Sequence, residues 1–268
     1  MSASVSELEL KGRRVRIATR PGQGPPLLLC NGIGASLDLL QPFVDHLDPS
    51  IPVIRFDVPG IGGSEVPRRP YTFATLSCLL SDLLNQLGHP QVDVLGISWG
   101  GGLALQFAFQ NPRRCRRLVL VSTAPGWMMV PGHPRVLKKM ITPRRYRDPD
   151  YAASVAASLY GGGMRDDPLL AKTILDSHSP LLSGRGYAMQ LAAGTGWTSL
   201  PFLPLIRQKT LILAGDDDPI IPLINARIMA RLLPRARLHV YHDGHLGLIT
   251  QPGTLAREIA AFRSSPDL

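Results

Sequence analysis

Short apolar runs alternate along the chain with segments in which apolar residues recur at helical spacing. This alternation is typical of βαβ units, which build a mostly parallel sheet flanked by helices. The apolar runs predict buried strands at residues 26–30, 52–57, 92–98, 117–122, 210–214 and 238–241. We therefore expect an α/β architecture around one central sheet.

A leucine stripe lies between the second and third predicted strands. It predicts a helix with Thr72 as N-cap and Gly88 as its stop, packed on the sheet. The stripe consists of Leu76, Leu79, Leu80, Leu83, Leu84 and Leu87. Further helices are predicted at 102–110, 223–233 and 253–263.

The alternation fails between residues 125 and 204, where Pro, Gly and Met are frequent and helical pieces such as 151–159 are short. We expect this stretch to be an insertion over the strand ends. The predicted organisation is a core domain formed by residues 1–124 and 206–268, with a cap or lid formed by 125–205.

Composition narrows the class of protein. An apolar content of 44% and a charged content of 18% are ordinary for a soluble globular chain. The N-terminus lacks the layout of a signal peptide, and no apolar run approaches the roughly 18 residues that span a bilayer. We expect a cytoplasmic protein without a transmembrane segment, in which Cys30, Cys78 and Cys115 are buried thiols.

The net charge of +9 raises the question of a nucleic-acid partner. The arginines are spread widely, with local clusters at 113–117 and 135–147, and no nucleic-acid-binding signature accompanies them. We expect no nucleic-acid partner. A solvated basic surface is the simplest interpretation, and attraction to an anionic surface or particle is the alternative.

Candidate chemistry centres on Ser98, in the segment Gly96-Ile97-Ser98-Trp99-Gly100 between a predicted strand and a predicted helix. A serine on such a turn is strained and projects its oxygen from the sheet, and flanking glycines relieve the clashes. The helix behind it offers free N–H groups to an oxyanion. This context predicts a nucleophile.

A serine nucleophile in this architecture is followed along the chain by an acid and then a histidine. For the acid we favour Asp218, which lies in the turn four positions after Ala214, the end of a predicted strand, and is followed by Pro219, which stiffens the loop. Asp216 and Asp217 are interpreted as solvated or capping residues. The expected role of Asp218 is to fix the histidine tautomer and stabilise the imidazolium.

For the base we favour His245, which follows the last strand and precedes an apolar run. His242 is a competitor, whereas His239 lies within a strand pattern. The glycines that follow the first buried strand predict an oxyanion loop, with the N–H groups of Ile33 and Trp99 as donors. This chemistry requires no metal and no cofactor.

The predicted insertion carries adaptable apolar residues suited to an aliphatic acyl pocket. They are Trp127, Met128, Met129, Met164, Met189 and Trp197. Simple packing of the cap on the core is the alternative for each of them. The run 161–163, all glycine, could serve a moving lid or a static turn.

With these segments placed, the chain resembles the α/β-hydrolase fold family with a cap inserted before the seventh strand. The segments NGIGA, FDVPGIGGS, GISWGG, AGDDDPIIPLIN and DGHLGLIT resemble intracellular medium-chain-length polyhydroxyalkanoate depolymerases. The likeness continues into the insertion, in MMVPGHP, PRRY, YGGG and GWTS. It implies an aliphatic polyester stored in cytoplasmic granules as substrate, and the family's triad falls on Ser98, Asp218 and His245.

The expected reaction is therefore ester hydrolysis through an acyl-enzyme. Alternatives of the same fold are a small-molecule carboxylesterase or lipase and, less favoured, a C–C hydrolase or a perhydrolase. A binding protein without turnover is disfavoured because such proteins often lose a triad member. The alternative interpretation of the basic surface is that it binds the anionic surface of polyester granules.

Overall fold

The computed structural model describes residues 4–169 and 183–266. Eight strands form one sheet in the order β1-β2-β4-β3-β5-β6-β7-β8. In chain order, β1 to β8 are Ser4–Glu9, Arg14–Arg20, Leu27–Cys30, Val53–Phe56, Val92–Ile97, Cys115–Val121, Lys209–Gly215 and Ala236–Tyr241. The predicted strands correspond to β3–β8, which confirms the expected central sheet.

The sheet is parallel from β4 through β8 and antiparallel at its N-terminal edge. β1 pairs antiparallel with β2, and β2 pairs antiparallel with β4. The pattern of apolar runs did not predict β1 and β2, because neither strand is a continuous apolar run. The carboxyl ends of β5, β7 and β8 meet at one edge of the sheet, where ligand sites of such folds lie.

The helices of the described residues include every helix that periodicity predicts. In chain order, α1 to α10 are Gln41–His46, Phe73–Gln86, Trp99–Gln110, Pro134–Lys138, Pro149–Tyr160, Gly162–Asp166, Gly184–Gly194, Ile224–Leu232, Gly247–Thr250 and Pro252–Ser264. Short 3-10 helices lie at Leu37–Leu40, Pro143–Tyr146 and Leu200–Leu205. Thr72 caps α2 as expected, since its side chain accepts from the Thr75 N–H.

Helices cover both faces of the sheet. On one face, the leucines of α2 and the apolar side of α3 pack against alternate residues of the strands, such as Leu28 and Val94. On the other face, Phe43 of α1 and Ile259 of α10 pack against the intervening residues, such as Leu95. This double cover explains why the parallel strands are apolar throughout rather than alternating.

The expectation of three buried thiols is wrong at one position. Cys30 and Cys115 are buried, and burial raises the pKa of both thiols. Cys78 is exposed, because it lies on the side of α2 opposite the leucine stripe.

A helical insertion separates β6 from β7, before the seventh strand of the sheet. It contains α4 to α7, and residues 170–182 of the predicted cap lie outside the described residues. Val155 and Leu159 of α5 form an apolar cluster with Ile220, Leu246 and Ile249, which follow β7 and β8. The insertion therefore packs on the loops at the carboxyl edge of the sheet.

Within the described ranges, no helix is both long enough and apolar enough to cross a membrane.

Candidate active site

Ser98 occupies the turn between β5 and α3 with φ 54° and ψ −122°. Few non-glycine residues adopt positive φ, and in such a place the strain is held by the surrounding structure. Here the Ser98 N–H donates to the Val121 carbonyl (2.9 Å), and the Thr123 hydroxyl donates to the Ser98 carbonyl (2.6 Å). The turn is thus anchored to β6 and the residues after it.

The glycines on either side of Ser98 are required by close backbone approach. A Cβ at Gly96 would lie 2.3 Å from the Gly100 carbonyl oxygen. A Cβ at Gly100 would lie 2.1 Å from the carbonyl oxygen of Cys30, the last residue of β3, and 2.5 Å from that of Asn31 in the loop that follows. The first turn of α3 therefore lies directly against the predicted oxyanion loop.

His245 and Asp218 form a buried pair. Nδ1 of His245 lies 2.7 Å from Oδ2 of Asp218, and the two side chains are 4% and 1% exposed. Oδ1 of Asp218 accepts the N–H groups of Ile220 and Ile221, both at 2.9 Å. Both carboxylate oxygens are thus engaged, which fixes the orientation of the acid toward the imidazole.

The competing histidines lie in different surroundings. His242 is 95% exposed and pairs with Asp216 across 2.9 Å, and this contact raises its pKa. His239 lies on β8 and faces Glu258 at 3.8 Å. Among His239, His242 and His245, only His245 is buried, and its partner Asp218 is buried with it.

Ser98 and the histidine–acid pair belong to the same edge of the sheet. Ser98 and Ile221 line one cavity, and the Ile221 N–H is held by Asp218. In the part of the chain that the structure describes, the hydrogen bonds do not include one between Ser98 Oγ and His245. The hydrogen bond that the structure contains is therefore the one between Asp218 and His245.

The loop after β3 lies beside the candidate nucleophile. A Cβ at Gly32 would lie 3.6 Å from the Ser98 Cβ. The Ile33 carbonyl accepts the Tyr146 hydroxyl at 2.6 Å, which fixes the peptide that follows Ile33. Trp99 is the first residue of α3, so its N–H has no acceptor within the helix. Trp99 and the loop that carries Ile33 therefore lie beside Ser98.

Gln190 of α7 braces this loop and was not predicted. Its Oε1 accepts the Gly34 N–H at 2.7 Å, and its backbone carbonyl accepts the Trp99 indole N–H at 2.8 Å. Its Nε2 and the Oδ1 of Asn31 are buried polar atoms without a partner among the described residues. One buried residue of the insertion thus contacts both sides of the predicted oxyanion hole.

A cavity of about 490 Å³ opens at Ser98. Its lining is mostly apolar, and three of the predicted pocket residues contribute to it: Trp127, Met129 and Trp197. Leu137 of α4 also lines it. Pockets of this size and character hold small molecules or segments of chains.

The other three predicted pocket residues lie elsewhere. Met164 is 1% exposed and packs with α5 and α9, so it belongs to the interface between insertion and core. Met189 is 6% exposed and packs in the core cluster. Met128 is 64% exposed and lies outside the lining. For Met164 and Met189 the alternative, packing of the cap on the core, describes the structure.

Aromatic rings form one wall of the cavity. Phe73, at the start of α2, lies 4.7 Å from both Trp99 and Trp197, measured between ring centroids. The Trp197 indole N–H donates to Gln106 of α3 at 2.7 Å, which fixes that ring. Phe73 was missed because at the sequence level it belongs to the same apolar helix face as the leucine stripe.

The glycine run 161–163 connects the insertion to the loops that carry the acid and the base. The Gly162 N–H donates to Asp217 (2.7 Å) and the Gly163 N–H to Asp243 (2.8 Å). The first of these bonds, with the Arg165 guanidinium, holds the pKa of Asp217 below its ordinary value. These contacts fit a static turn.

Tyr160, just before this run, supports the histidine. Its carbonyl accepts the His245 N–H at 2.7 Å, and its ring stacks on the imidazole with 6.5 Å between centroids. A Cβ at Gly244 would lie 2.0 Å from the same carbonyl oxygen, so the two backbones touch. The insertion thus sets the position of the candidate base.

A protein metal site would need several His, Cys, Asp or Glu side chains close together. Across residues 4–169 and 183–266, no group of three or more His, Cys, Asp or Glu side chains is placed to hold a metal ion.

Known proteins share this architecture. Residues 25–252 match the model of the alpha/beta hydrolase fold family. The chain belongs to this family. Among solved structures, this α/β-hydrolase is similar to an enol-lactonase from Burkholderia xenovorans LB400, with a TM-score of 0.82 at 22% identity over 97% of this chain and 100% of the other. It is also similar to a thermophilic esterase from Thermogutta terrifontis, with a TM-score of 0.79 at 25% identity over 97% and 98%.

A curated relative is more informative about the kind of hydrolase. The chain is 51% identical to a poly(3-hydroxyalkanoate) depolymerase from Ectopseudomonas oleovorans, over 95% of this chain and 90% of the relative. It is 25% identical to 3-oxoadipate enol-lactonase 2 from Acinetobacter baylyi, over 88% of each chain. The resemblance to polyhydroxyalkanoate depolymerases that the sequence motifs indicate is confirmed.

Proposed function

We propose that this α/β-hydrolase is an ester hydrolase that depolymerises medium-chain-length poly(3-hydroxyalkanoate). The observation that carries the proposal is a strained serine at an apolar cavity beside a buried His–Asp pair, in a chain 51% identical to a poly(3-hydroxyalkanoate) depolymerase. Ser98 is the nucleophile, His245 the base, and Asp218 the acid that orients it.

The reaction proceeds by two acyl transfers. His245 Nε2 takes the proton of the Ser98 hydroxyl as its oxygen attacks the ester carbonyl, and the N–H groups of Ile33 and Trp99 hold the oxyanion. His245 then gives the proton to the departing alcohol, which leaves an acyl-enzyme. Water, deprotonated by His245, attacks the acyl group, and the acid is released as Ser98 regains a proton.

Asp218 makes His245 competent for both proton transfers. Its Oδ2 accepts from Nδ1, which places the free lone pair on Nε2, the nitrogen that must serve Ser98. Because both side chains are almost fully buried, the carboxylate is effective in stabilising the imidazolium that forms during attack.

The cavity suits the substrate class. Alkyl side chains of a medium-chain polyester are flexible and apolar, and the lining by Trp127, Met129, Leu137 and Trp197 offers adaptable apolar contacts. We place the enzyme inside the cell, at polyester granules. Its net charge of +9 would favour an anionic granule surface, and that attraction would weaken with added salt.

The test compares two substrate classes on one enzyme preparation. The proposal predicts release of 3-hydroxyoctanoate from amorphous poly(3-hydroxyoctanoate) together with hydrolysis of soluble medium-chain esters. Activity confined to soluble esters would reject the depolymerase function and favour a small-molecule carboxylesterase. Absence of both activities, with no labelling of the protein by a fluorophosphonate, would favour a binding protein.

A further inference from the structure

Exposed apolar side chains concentrate beside the catalytic cavity. Of the twelve large apolar side chains that are exposed in the described part of the chain, four lie within residues 127–141. They are Trp127, Met128, Val130 and Ile141, at 66%, 64%, 42% and 63% exposure. Clustered apolar exposure on a globular protein marks a ligand groove or an interaction surface rather than chance.

This segment forms a second concave surface, here called the outer groove, of about 620 Å³. It is lined by residues 131–134 together with Leu137, Lys138 and Ile141. Pro131 and Leu137 also line the cavity at Ser98, so the two spaces adjoin along a shared wall. A chain molecule held in the cavity would have to pass Pro131 and Leu137 to reach the outer groove.

The outer groove is anchored to the fold. Val130, just before it, exchanges two 2.8 Å hydrogen bonds with the side chain of Asn225 on α8. A Cβ at Gly132 would lie 2.5 Å from the Pro219 carbonyl oxygen, so the groove backbone touches the loop that carries Asp218. Its position relative to the active site is therefore held by packing.

The lining chemistry selects among occupants. Among the described residues, Lys138 is the one formally charged side chain of the lining, and no carboxylate of those residues accompanies it. A nucleic acid or another polyanion would need several cationic side chains in the lining, and a basic peptide would need acidic ones. A neutral, apolar strand needs neither, and it would cover Ile141, whose side chain is exposed.

We propose that the outer groove binds the repeat unit adjacent to the one held in the catalytic cavity, so that the enzyme grips a polyester strand at two successive units. The inference rests on the proposed function. Each repeat unit carries an alkyl side chain, and burial of that chain against Leu137 and Ile141 adds binding energy that a single soluble ester cannot supply.

The test is the variant Ile141→Asp, assayed on p-nitrophenyl hexanoate and on a trimer of (R)-3-hydroxyoctanoate. We expect roughly a ten-fold loss of kcat/KM on the trimer, from lost apolar burial, and an unchanged value on the soluble ester. The matched control is Val5→Asp, at a side chain 57% exposed on edge strand β1, which should leave both values unchanged.

The outcomes separate the two proposals. Trimer hydrolysis by Ile141→Asp equal to that of the unaltered enzyme overturns the groove alone. An equal loss on both substrates, or a changed oligomeric state without a selective loss on the trimer, also overturns it. An unaltered enzyme that cleaves p-nitrophenyl hexanoate but neither trimer nor amorphous polymer refutes the proposed depolymerase function instead.

Discussion

Ser98 holds a backbone conformation that costs of order 1–3 kcal/mol relative to ordinary regions of φ and ψ. The surrounding hydrogen bonds from Thr123 and to Val121 keep it there. The turn that results places Ser98 in the lining of the apolar cavity. We propose that this strain serves the attack by Ser98 on the ester.

Asp218→Asn tests the role of the acid at the level of one atom. An amide that donates to Nδ1 of His245 would leave the proton on Nε2, the wrong tautomer for a base, so kcat should fall about 10⁴-fold. Ester hydrolysis at saturating substrate measures this. The control is Asp216→Asn, at the exposed partner of His242, which should keep full activity. Activity of Asp218→Asn within ten-fold of the unaltered enzyme would contradict the assignment.

Gln190→Met tests the brace on the oxyanion loop. Loss of the bond to the Gly34 N–H should let the loop shift, so kcat should fall roughly ten- to hundred-fold while KM changes little. Steady-state kinetics on a soluble ester separate the two constants. Gln208→Met is the matched control, because Gln208 is also buried but donates to Ala108, outside the catalytic cavity. An equal fall of kcat in both variants would argue for general destabilisation.

The local sequence is sufficient to predict most of the candidate catalytic residues. Ser98 ends a predicted strand, and Asp218 and His245 each follow one within a few positions, so the order of strands and loops makes them candidates. Gln190 could not be selected in this way. Its partner Gly34 lies 156 positions away, and only the packing of the insertion brings the two together.

At the scale of elements, the insertion is tied to the loops after β7 and β8. Asp243 is 4% exposed and accepts the Gly163 and Gly244 N–H groups and the Thr250 hydroxyl. This carboxylate thus joins the glycine run of the insertion to the loop of His245.

Asp243→Ala should leave one buried and two partly buried donors without this acceptor and lower the free energy of unfolding by about 2 kcal/mol. Urea denaturation followed by intrinsic fluorescence measures the change. Asp216→Ala, which removes a neighbouring acid from an exposed pair, should leave the stability unchanged. Equal stability of the two variants would show that the tie contributes nothing.

The periodicity of apolar residues predicts the helices and strands that bury one whole face. It predicts less well the strands that are only partly buried. The leucine stripe gives α2 because all but one of its residues are buried. In β2, Val15 and Ile17 are buried but alternate with Arg14 and Arg16, and β1 is largely exposed. β1 is held by pairing with β2, and β2 by pairing with β4. An apolar run does not predict such pairing.

At the scale of the whole molecule, the candidate catalytic residues all lie at the carboxyl edge of one sheet. The order β5-β6-β7-β8 brings the turn of Ser98, the loop of Asp218 and the loop of His245 to the same side, and the insertion packs on the two loops. The sequence order of serine, acid and histidine therefore follows from the order of the strands. We propose that residues 125–205 act as a cap that shapes both the cavity and the outer groove.

The measurement that tests this account most directly is the release of 3-hydroxyoctanoate from amorphous poly(3-hydroxyoctanoate) by Ser98→Ala. The account predicts a fall of about four to six decades in turnover. A urea denaturation curve matching that of the unaltered enzyme shows that the fold is intact. Near-normal release by Ser98→Ala would contradict the claim that this hydroxyl attacks the ester.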